Sequence, residues 1–462
     1  MNNYFEYRNK FNKFLYKSYD VSNVDDKLKI VYHFEIPGLA EFHPSWIFNK
    51  SAEINNVIKK IAFYLGMVEL ISYWKLTCSP NVDVLCGSLT EEEIKWWKKL
   101  YFDGLGEFFY VNGINPDFND FISINSMGNK ILSNTDEKLN LQNNKVIIPV
   151  GGGKDSCVTM ELIKDMDYFK ESIPFAINPR GAVIDSINAS EYKNSIFVER
   201  KLDEKLFELN KKGFLNGHTP FSAIVAFSSI LSAYINGYNC VALSNESSAN
   251  ESTVNGTNIN HQYSKSYEFE KNFFDYEEKY IGSGVKYFSI LRGFSEYQIA
   301  NLFSKYTKYH KIFKSCNVGS KEDIWCGKCP KCLFVYLILS PFLTMNKVSD
   351  IFGIDILNDE DLKNDFDKLI GNTLEKPFEC VGSKDEVNMA IAMTIVNLEQ
   401  KKIELPKLLK YYKTTDIYKK NFDGKTFEEI TKLQDEYKNY FNNENNIPEK
   451  ILRILKEKIK TL

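Results

Sequence analysis

The sequence predicts an α/β protein with a parallel-sheet core, an N-terminal α+β domain and a mainly helical C-terminal region. Three observations carry that prediction. Between residues 146 and 304, short apolar runs alternate with helix-period segments, the pattern of βαβ units that build a parallel sheet. A glycine-rich stretch, Gly151-Gly152-Gly153, joins the first of those runs to the first of those helices. Beyond Ser383 the chain reads as helix and ends Lys/Glu-rich, as packed amphipathic helices do.

Upstream, residues 54–76 carry Val57, Ile58, Ile61, Ala62 and Leu65 at helical spacing. Thr90-Glu91-Glu92-Glu93 resembles a capping box that opens a second helix with Ile94, Trp96 and Trp97. The phrase GLGEFFYVNGINP follows, with turn residues on both sides of an aromatic run. The polar stretch 134–144 reads as a linker, which sets domain bounds of 1–140, 141–345 and 346–462. In the middle unit the expected strands are 146–150, 173–177, 196–199, 240–243 and 287–291. The expected helices are 157–169, 221–235 and 296–304. Thr219 is the expected N-cap of the second, with Pro220 its first residue, and Ser295 the N-cap of the third. In the last helix Ile451, Leu452, Ile454 and Leu455 are expected to share one packed face.

Composition narrows the function. Fifty-eight basic against sixty-one acidic side chains give a net charge of −3, which argues against a nucleic acid or an anionic membrane as partner. The first residues lack the apolar core of a signal peptide, and no apolar stretch approaches the roughly 20 residues that span a bilayer. Nine cysteines, an odd number in a chain too long to need disulfide staples, point to thiol chemistry and a cytoplasmic setting. The sequence leaves the oligomeric state open.

The run VIIPV leads directly into Gly151-Gly152-Gly153-Lys154-Asp155-Ser156 and then a helix. Glycines let the backbone approach a phosphate, and a helix N-terminus offers unpaired N–H groups and the positive end of a dipole. Ser156 adds a hydroxyl donor, and Asp155 can hold Mg²⁺ or cap the helix. This is not a Walker loop: Ile148 stands where its first glycine belongs, and Asp155 follows Lys154 where Ser or Thr belongs. A second signal is Cys316, Cys326, Cys329 and Cys332, spaced C-x9-C-x2-C-x2-C. Four thiolates from such knuckles suit a tetrahedral, structural Zn²⁺, with buried free thiols or a redox pair as the other readings. Gly327 relaxes the turn, while Lys328 and Lys331 offset the charge. A third signal is the polar string from Ser244-Asn245-Glu246 to His261-Gln262 and Lys265, which begins at the carboxyl end of a strand, where open α/β sheets bind ligands.

The loop PVGGGKDS resembles the S-G-G-x-D-S loop of the PP-loop ATP pyrophosphatases, the adenine nucleotide alpha hydrolase-like fold, with Gly151 in place of the first Ser. The cysteine cluster alone resembles that of 7-cyano-7-deazaguanine synthases. Taken with NESSANE, NHQYSKS, LRGFSEYQIANLF, WCGKCPKC, KPFECVG, LGMVELISYWK and GLGEFFY, residues 30–400 resemble the ATP-dependent UDP-N-acetylmuramoyl-L-alanyl-L-glutamate epimerases of peptidoglycan synthesis. The resemblance implies a nucleotide-linked muramoyl dipeptide as substrate, ATP and Mg²⁺ as cofactors, and inversion of the terminal L-glutamate after adenylation of its carboxylate. Proton removal and return on opposite faces needs two acid–base groups or one mobile one. His261 is a candidate base because imidazole titrates near neutrality, and Cys380 and Glu246 are others. Glu296 suits a base, a Mg²⁺ ligand or a helix start. Asn245, Gln262, Lys265, Arg180, Arg292 and Glu296 are candidate substrate ligands, and His218 is either a ligand contact or a helix-start hydrogen bond. The alternatives are another PP-loop enzyme, 7-cyano-7-deazaguanine synthase-like or tRNA-modifying, and a non-catalytic nucleotide-binding protein.

Overall fold

A computed structural model describes residues 3–130, 137–141, 144–251, 253 and 260–461. Residues 134–136, 142 and 143 of the expected linker lie outside them. The N-terminal part is built on a long antiparallel hairpin, β1 (Lys13–Val24) and β2 (Lys27–Ile36). Asp25 and Asp26 both take positive φ at its tip, the two-residue turn whose twist matches the strands. Alternate residues of β2, namely Leu28, Ile30, Tyr32, Phe34 and Ile36, are fully buried, so one face of the sheet covers a core. The strands β3 (Ala40–Phe42) and β4 (Ser45–Phe48) pair with β2, whereas β5 (Asn81–Val84) and β6 (Ser123–Ser126) extend the sheet beyond β1.

The middle of the chain supplies β7 (Asn144–Pro149), β8 (Phe169–Ile177), β9 (Ile196–Lys201), β10 (Cys240–Leu243) and β11 (Lys286–Ser289). They are mutually parallel and lie in the order β11-β10-β7-β8-β9. The order reverses between β7 and β10, which makes that gap the topological switch point of the sheet. At the other edge β9 pairs antiparallel with β4, so the N-terminal strands continue one eleven-stranded sheet. The seam is locked where Arg200 of β9 grips buried Glu69 through Nε at 2.8 Å and Nη2 at 2.9 Å, with the Trp46 indole donating to the same carboxylate at 3.1 Å.

Alternation along the strands divides the core into two layers. Ile147, Phe175, Val198 and Val241 face a layer that holds the packed helices Asn56–Glu69 and Phe221–Asn236. Val146, Ile148, Ala242 and Phe288 face the layer of Lys154–Lys164, Glu296–Lys305, Pro330–Leu339 and Lys384–Gln400. Pro330–Leu339 is apolar on every side because it is buried on every side. Among the described residues no helix is long and apolar enough to cross a membrane.

The capping boxes at Thr90/Glu93 and Ser295/Gln298 form as the sequence predicts. Three local expectations are corrected. The first core helix starts at Lys154 and ends at Lys164, because Gly153 already closes the loop and Phe169 belongs to β8. Pro220 is the N-cap of Phe221–Asn236, since the Thr219 hydroxyl is taken by Lys75 at 2.7 Å. In the terminal helix Ile451, Leu455 and Ile459 are buried while Ile454 is exposed, a single i, i+4, i+8 stripe.

Candidate active site

A cavity of about 500 Å³ opens at the carboxyl ends of β7, β8 and β10, at the switch point. Gly151, Gly153, Asp155 and Ser156 form one wall, and Gly152 turns the loop from behind with a φ of +78°. A Cβ on Gly152 would meet the Val183 backbone nitrogen at 3.0 Å, whereas one on Gly151 would meet nothing within 4 Å. Phe175, Ile177, Val183, Phe221 and Val225 make an apolar wall, and Arg180 and Lys314 bring positive charge.

Opposite the loop residues, Asn245, Glu246, Lys265, Glu296, Lys331 and Cys380 complete the lining. Lys154 does not line the cavity: it is buried, and its ammonium pairs with Asp155 and Glu296. Burial works against charge on Asp155, yet Lys154, Lys331 and Lys265 hold its carboxyl below the usual range. Glu296 is pushed the other way, by burial and by the charges of Asp155 and Glu246. Oxygens of Asp155, Glu246 and Glu296 all lie within 4.8 Å of one another.

The Cys380 sulfur lies 3.0 Å from the Lys265 ammonium, and the Cys380 carbonyl accepts from Lys331. Burial alone would push the thiol up, but Lys265, a hydrogen bond with His261 and the charge of Lys331 bring it down to about 6. Cys380 therefore carries a thiolate at neutral pH. Burial disfavours the His261 imidazolium, yet hydrogen bonds to Cys380 and Glu107 raise it to about 9. His261 Nδ1 is 2.5 Å from Glu107 Oε2, and His218 Nδ1 is 3.1 Å from the same oxygen. Burial and the adjacent His261 lower His218 to about 4, so it stays neutral.

Four expectations on site residues change. Arg292 is fully buried, donates to the carbonyls of Glu246 at 2.7 Å and Lys265 at 2.5 Å, and pairs with Glu270 at 2.9 Å. It orders the polar string instead of meeting a ligand. Gln262 is buried away from the cavity lining. Neither imidazole lines the cavity: His261 meets it through Cys380, and His218 sits beside His261 with ring centroids 4.8 Å apart. The sequence reading missed Glu107, whose signal was a carboxylate inside an aromatic run that had to be buried and hence paired. It also missed Lys75, buried and pushed down to about 7, which donates to the His218 carbonyl at 3.0 Å.

The four cysteines come together. Their sulfurs lie within 4.8 Å of one another, with separations of 3.5 Å (Cys329–Cys332), 3.7 Å (Cys326–Cys332) and 3.8 Å (Cys316–Cys329). Ligands about 2.3 Å from a tetrahedral ion stand about 3.8 Å apart, so the set fits Zn²⁺. Backbone N–H groups of Gly319, Lys328 and Cys332 point at three of the sulfurs. Of the two lysines read as charge partners, Lys328 pairs with Asp359 on the surface and Lys331 faces the cavity.

A glycine loop at a sheet switch point, beside a buried thiol–ammonium–imidazole cluster, is the arrangement of an α/β protein whose cavity suits acid–base chemistry. Comparison with known proteins is consistent with that class. The chain matches the MurL N-terminal domain over residues 5–290 and the MurL C-terminal domain over residues 312–418. It belongs to the MurL family. Among its curated relatives, a protein of Salinispora tropica is 33% identical over 71% of this chain and 72% of its own length. One from Xanthomonas oryzae pv. oryzae is 33% identical over 73% and 75%, and one from a Micromonospora species 33% over 71% and 73%. Each is named UDP-N-acetyl-alpha-D-muramoyl-L-alanyl-L-glutamate epimerase.

Proposed function

We propose that this chain is an ATP-dependent epimerase built on a PP-loop core. It inverts the terminal L-glutamate of UDP-N-acetylmuramoyl-L-alanyl-L-glutamate to D-glutamate, in the cytoplasm, for peptidoglycan precursor synthesis. The names of the relatives support the substrate. The observation that carries the chemistry is the Cys380 sulfur, 3.0 Å from Lys265 and in the same cavity as the glycine loop.

A Cα–H beside an ionised carboxylate is a very weak acid, because its loss creates a second negative charge. ATP removes that obstacle: a carboxylate oxygen bonds to the α-phosphorus, pyrophosphate leaves, and the acyl group can then delocalise a carbanion. Hydrolysis of the mixed anhydride afterwards releases AMP and the carboxylate. The backbone N–H groups of Gly151 and Gly153, the Ser156 hydroxyl and the start of helix Lys154–Lys164 receive the phosphates. Asp155 and Glu296 suit Mg²⁺, which is held by one or two carboxylates plus phosphate oxygens. The apolar wall of Phe175, Ile177 and Val225 accommodates a purine, and Arg180 offers a planar fork to a substrate carboxylate. Cys380 takes the Cα proton on its face, and Glu246 in the same lining serves the opposite one. Zn²⁺ in the four-cysteine knot is structural, since four thiolates leave no open position.

The test is incubation with ATP, Mg²⁺ and the L-Glu-terminated nucleotide in D₂O. D-glutamate with deuterium at Cα, together with AMP and pyrophosphate, is expected. Pyrophosphate without inversion points to another PP-loop activity, and ATP binding without turnover to a nucleotide-binding protein.

A further inference from the structure

We infer that Glu107, supplied by the N-terminal part of the chain, is the positioning residue that fixes His261 and through it makes Cys380 the proton-transferring sulfur. The inference rests on the epimerase reading above for its chemical purpose but not for its test. Glu107 lies in the short helix Gly106–Val111, 154 residues before His261 in sequence. A single oxygen, Oε2, faces His261 Nδ1 at 2.5 Å and His218 Nδ1 at 3.1 Å. An ionised carboxylate only accepts, so His261 donates to it from Nδ1, whereas His218 lies beside the same oxygen. The hydrogen bond between His261 and Cys380 then falls to the remaining nitrogen, Nε2.

The result is a chain of alternating charge, Glu107 carboxylate, His261 imidazolium, Cys380 thiolate and Lys265 ammonium. The other charged groups around it are Lys75, Lys331, Glu379, Glu246 and Asp155, with His218 neutral beside them. Without Glu107, a buried imidazolium at His261 would keep the Cys380 thiolate and Glu379 to balance it but lose its hydrogen-bonded carboxylate. It would lose its proton, and Cys380 would lose a cationic donor. The same helix braces the segment that carries Cys380: the Tyr110 hydroxyl donates to Glu375 at 3.1 Å, and its ring packs 5.1 Å from Phe378. Lys75 ties down the loop of His218 from the same side, through the His218 carbonyl and the Thr219 hydroxyl.

The experiment is alkylation of the full chain by iodoacetamide across pH, read at Cys380 by peptide mass spectrometry, for wild type, Glu107→Gln, Glu107→Asp and Tyr110→Phe. The other eight cysteines serve as internal references. In Glu107→Gln the half-point of Cys380 alkylation should rise by at least about one pH unit, towards that of a free thiol. Formation of D-glutamate should fall about 10²-fold while the KM for ATP changes less than about threefold. Glu107→Asp should recover part of both, and Tyr110→Phe should leave the half-point where it is. An unchanged half-point in Glu107→Gln overturns the inference, whatever happens to activity. If the Gln variant does not fold, the Asp variant decides: a half-point equal to wild type with activity lost would mean a merely structural carboxylate. Alkylation needs no substrate, so a wild type that makes no D-glutamate would sink the epimerase reading alone.

Discussion

Two sulfur sites lie close together in this molecule and are built in opposite ways. The four-cysteine knot draws its ligands from seventeen consecutive residues, Cys316 to Cys332, and buries its thiols against the layer around Pro330–Leu339. The Cys380 centre draws on residues 107, 261, 265 and 331 as well, from both the N-terminal part and the core. The first arrangement suits shape, for four like thiolates are held together by a cation in their midst. The second suits reactivity, for one sulfur among unlike charges can take and give a proton. Yet the sites touch, since Cys316 and Lys331 line the same cavity as Cys380.

Substitution separates the two most sharply. Cys332→Ser should abolish tight metal binding and destabilise the fold by more than about 4 kcal/mol, as loss of a structural metal does. Elemental analysis and thermal melting check it; wild type should hold about one zinc per chain. Cys380→Ser should do the reverse. Cα deuteration should fall by about 10³-fold with the melting temperature and zinc content unchanged. A Cys380 variant that loses zinc would merge the two sites into one.

Acidity sharpens the comparison next. Under the proposed mechanism Cys380 acts ionised, which requires a pH above about 6, and His261 stays protonated, which requires a pH below about 9. The kcat/KM for inversion should therefore be bell-shaped with limbs near those values. A profile with no acid limb would remove the thiolate from the reaction. His261→Gln should shift the acid limb upward, because the thiolate loses a cationic partner.

The same contrast explains what could be read from sequence. The glycine loop before a helix, the grouping of the four cysteines and helices Phe221–Asn236 and Glu296–Lys305 were legible because their determinants are neighbours in the chain. Cys380 and His261 stood out as chemically able residues, but nothing in the sequence showed that they meet. Arg292 was misjudged because an arginine at a strand end serves a ligand or a carbonyl equally well until its partners, Glu246 and Lys265, are placed. The strands β1–β6 went unplaced one by one: β1 exposes Lys17, Ser18, Ser22 and Asn23, so its sequence is too polar to read as a sheet. The pairing of β4 with β9 is a long-range fact that no local pattern encodes.

The smallest expected effect concerns the glycine loop, where of two neighbouring glycines the backbone requires Gly152 but not Gly151. Gly152 has a φ of +78° and the Val183 nitrogen 3.0 Å from where a Cβ would stand, so Gly152→Ala strains backbone that cannot yield. It should cost about 1–3 kcal/mol of stability and weaken ATP binding. Gly151 has neither constraint: its φ is not positive and nothing lies within 4 Å of its missing Cβ. Gly151→Ser should leave stability within about 0.5 kcal/mol and return the hydroxyl that similar loops carry. If the cavity holds the ATP phosphates, that hydroxyl adds one donor to an anion, worth about 0.5–1.5 kcal/mol, and the Kd for ATP should fall by about threefold to tenfold. Isothermal titration decides. A Ser variant that binds ATP no better than wild type would mean that the phosphates lie elsewhere than against Gly151, with the Gly152 turn serving the fold alone.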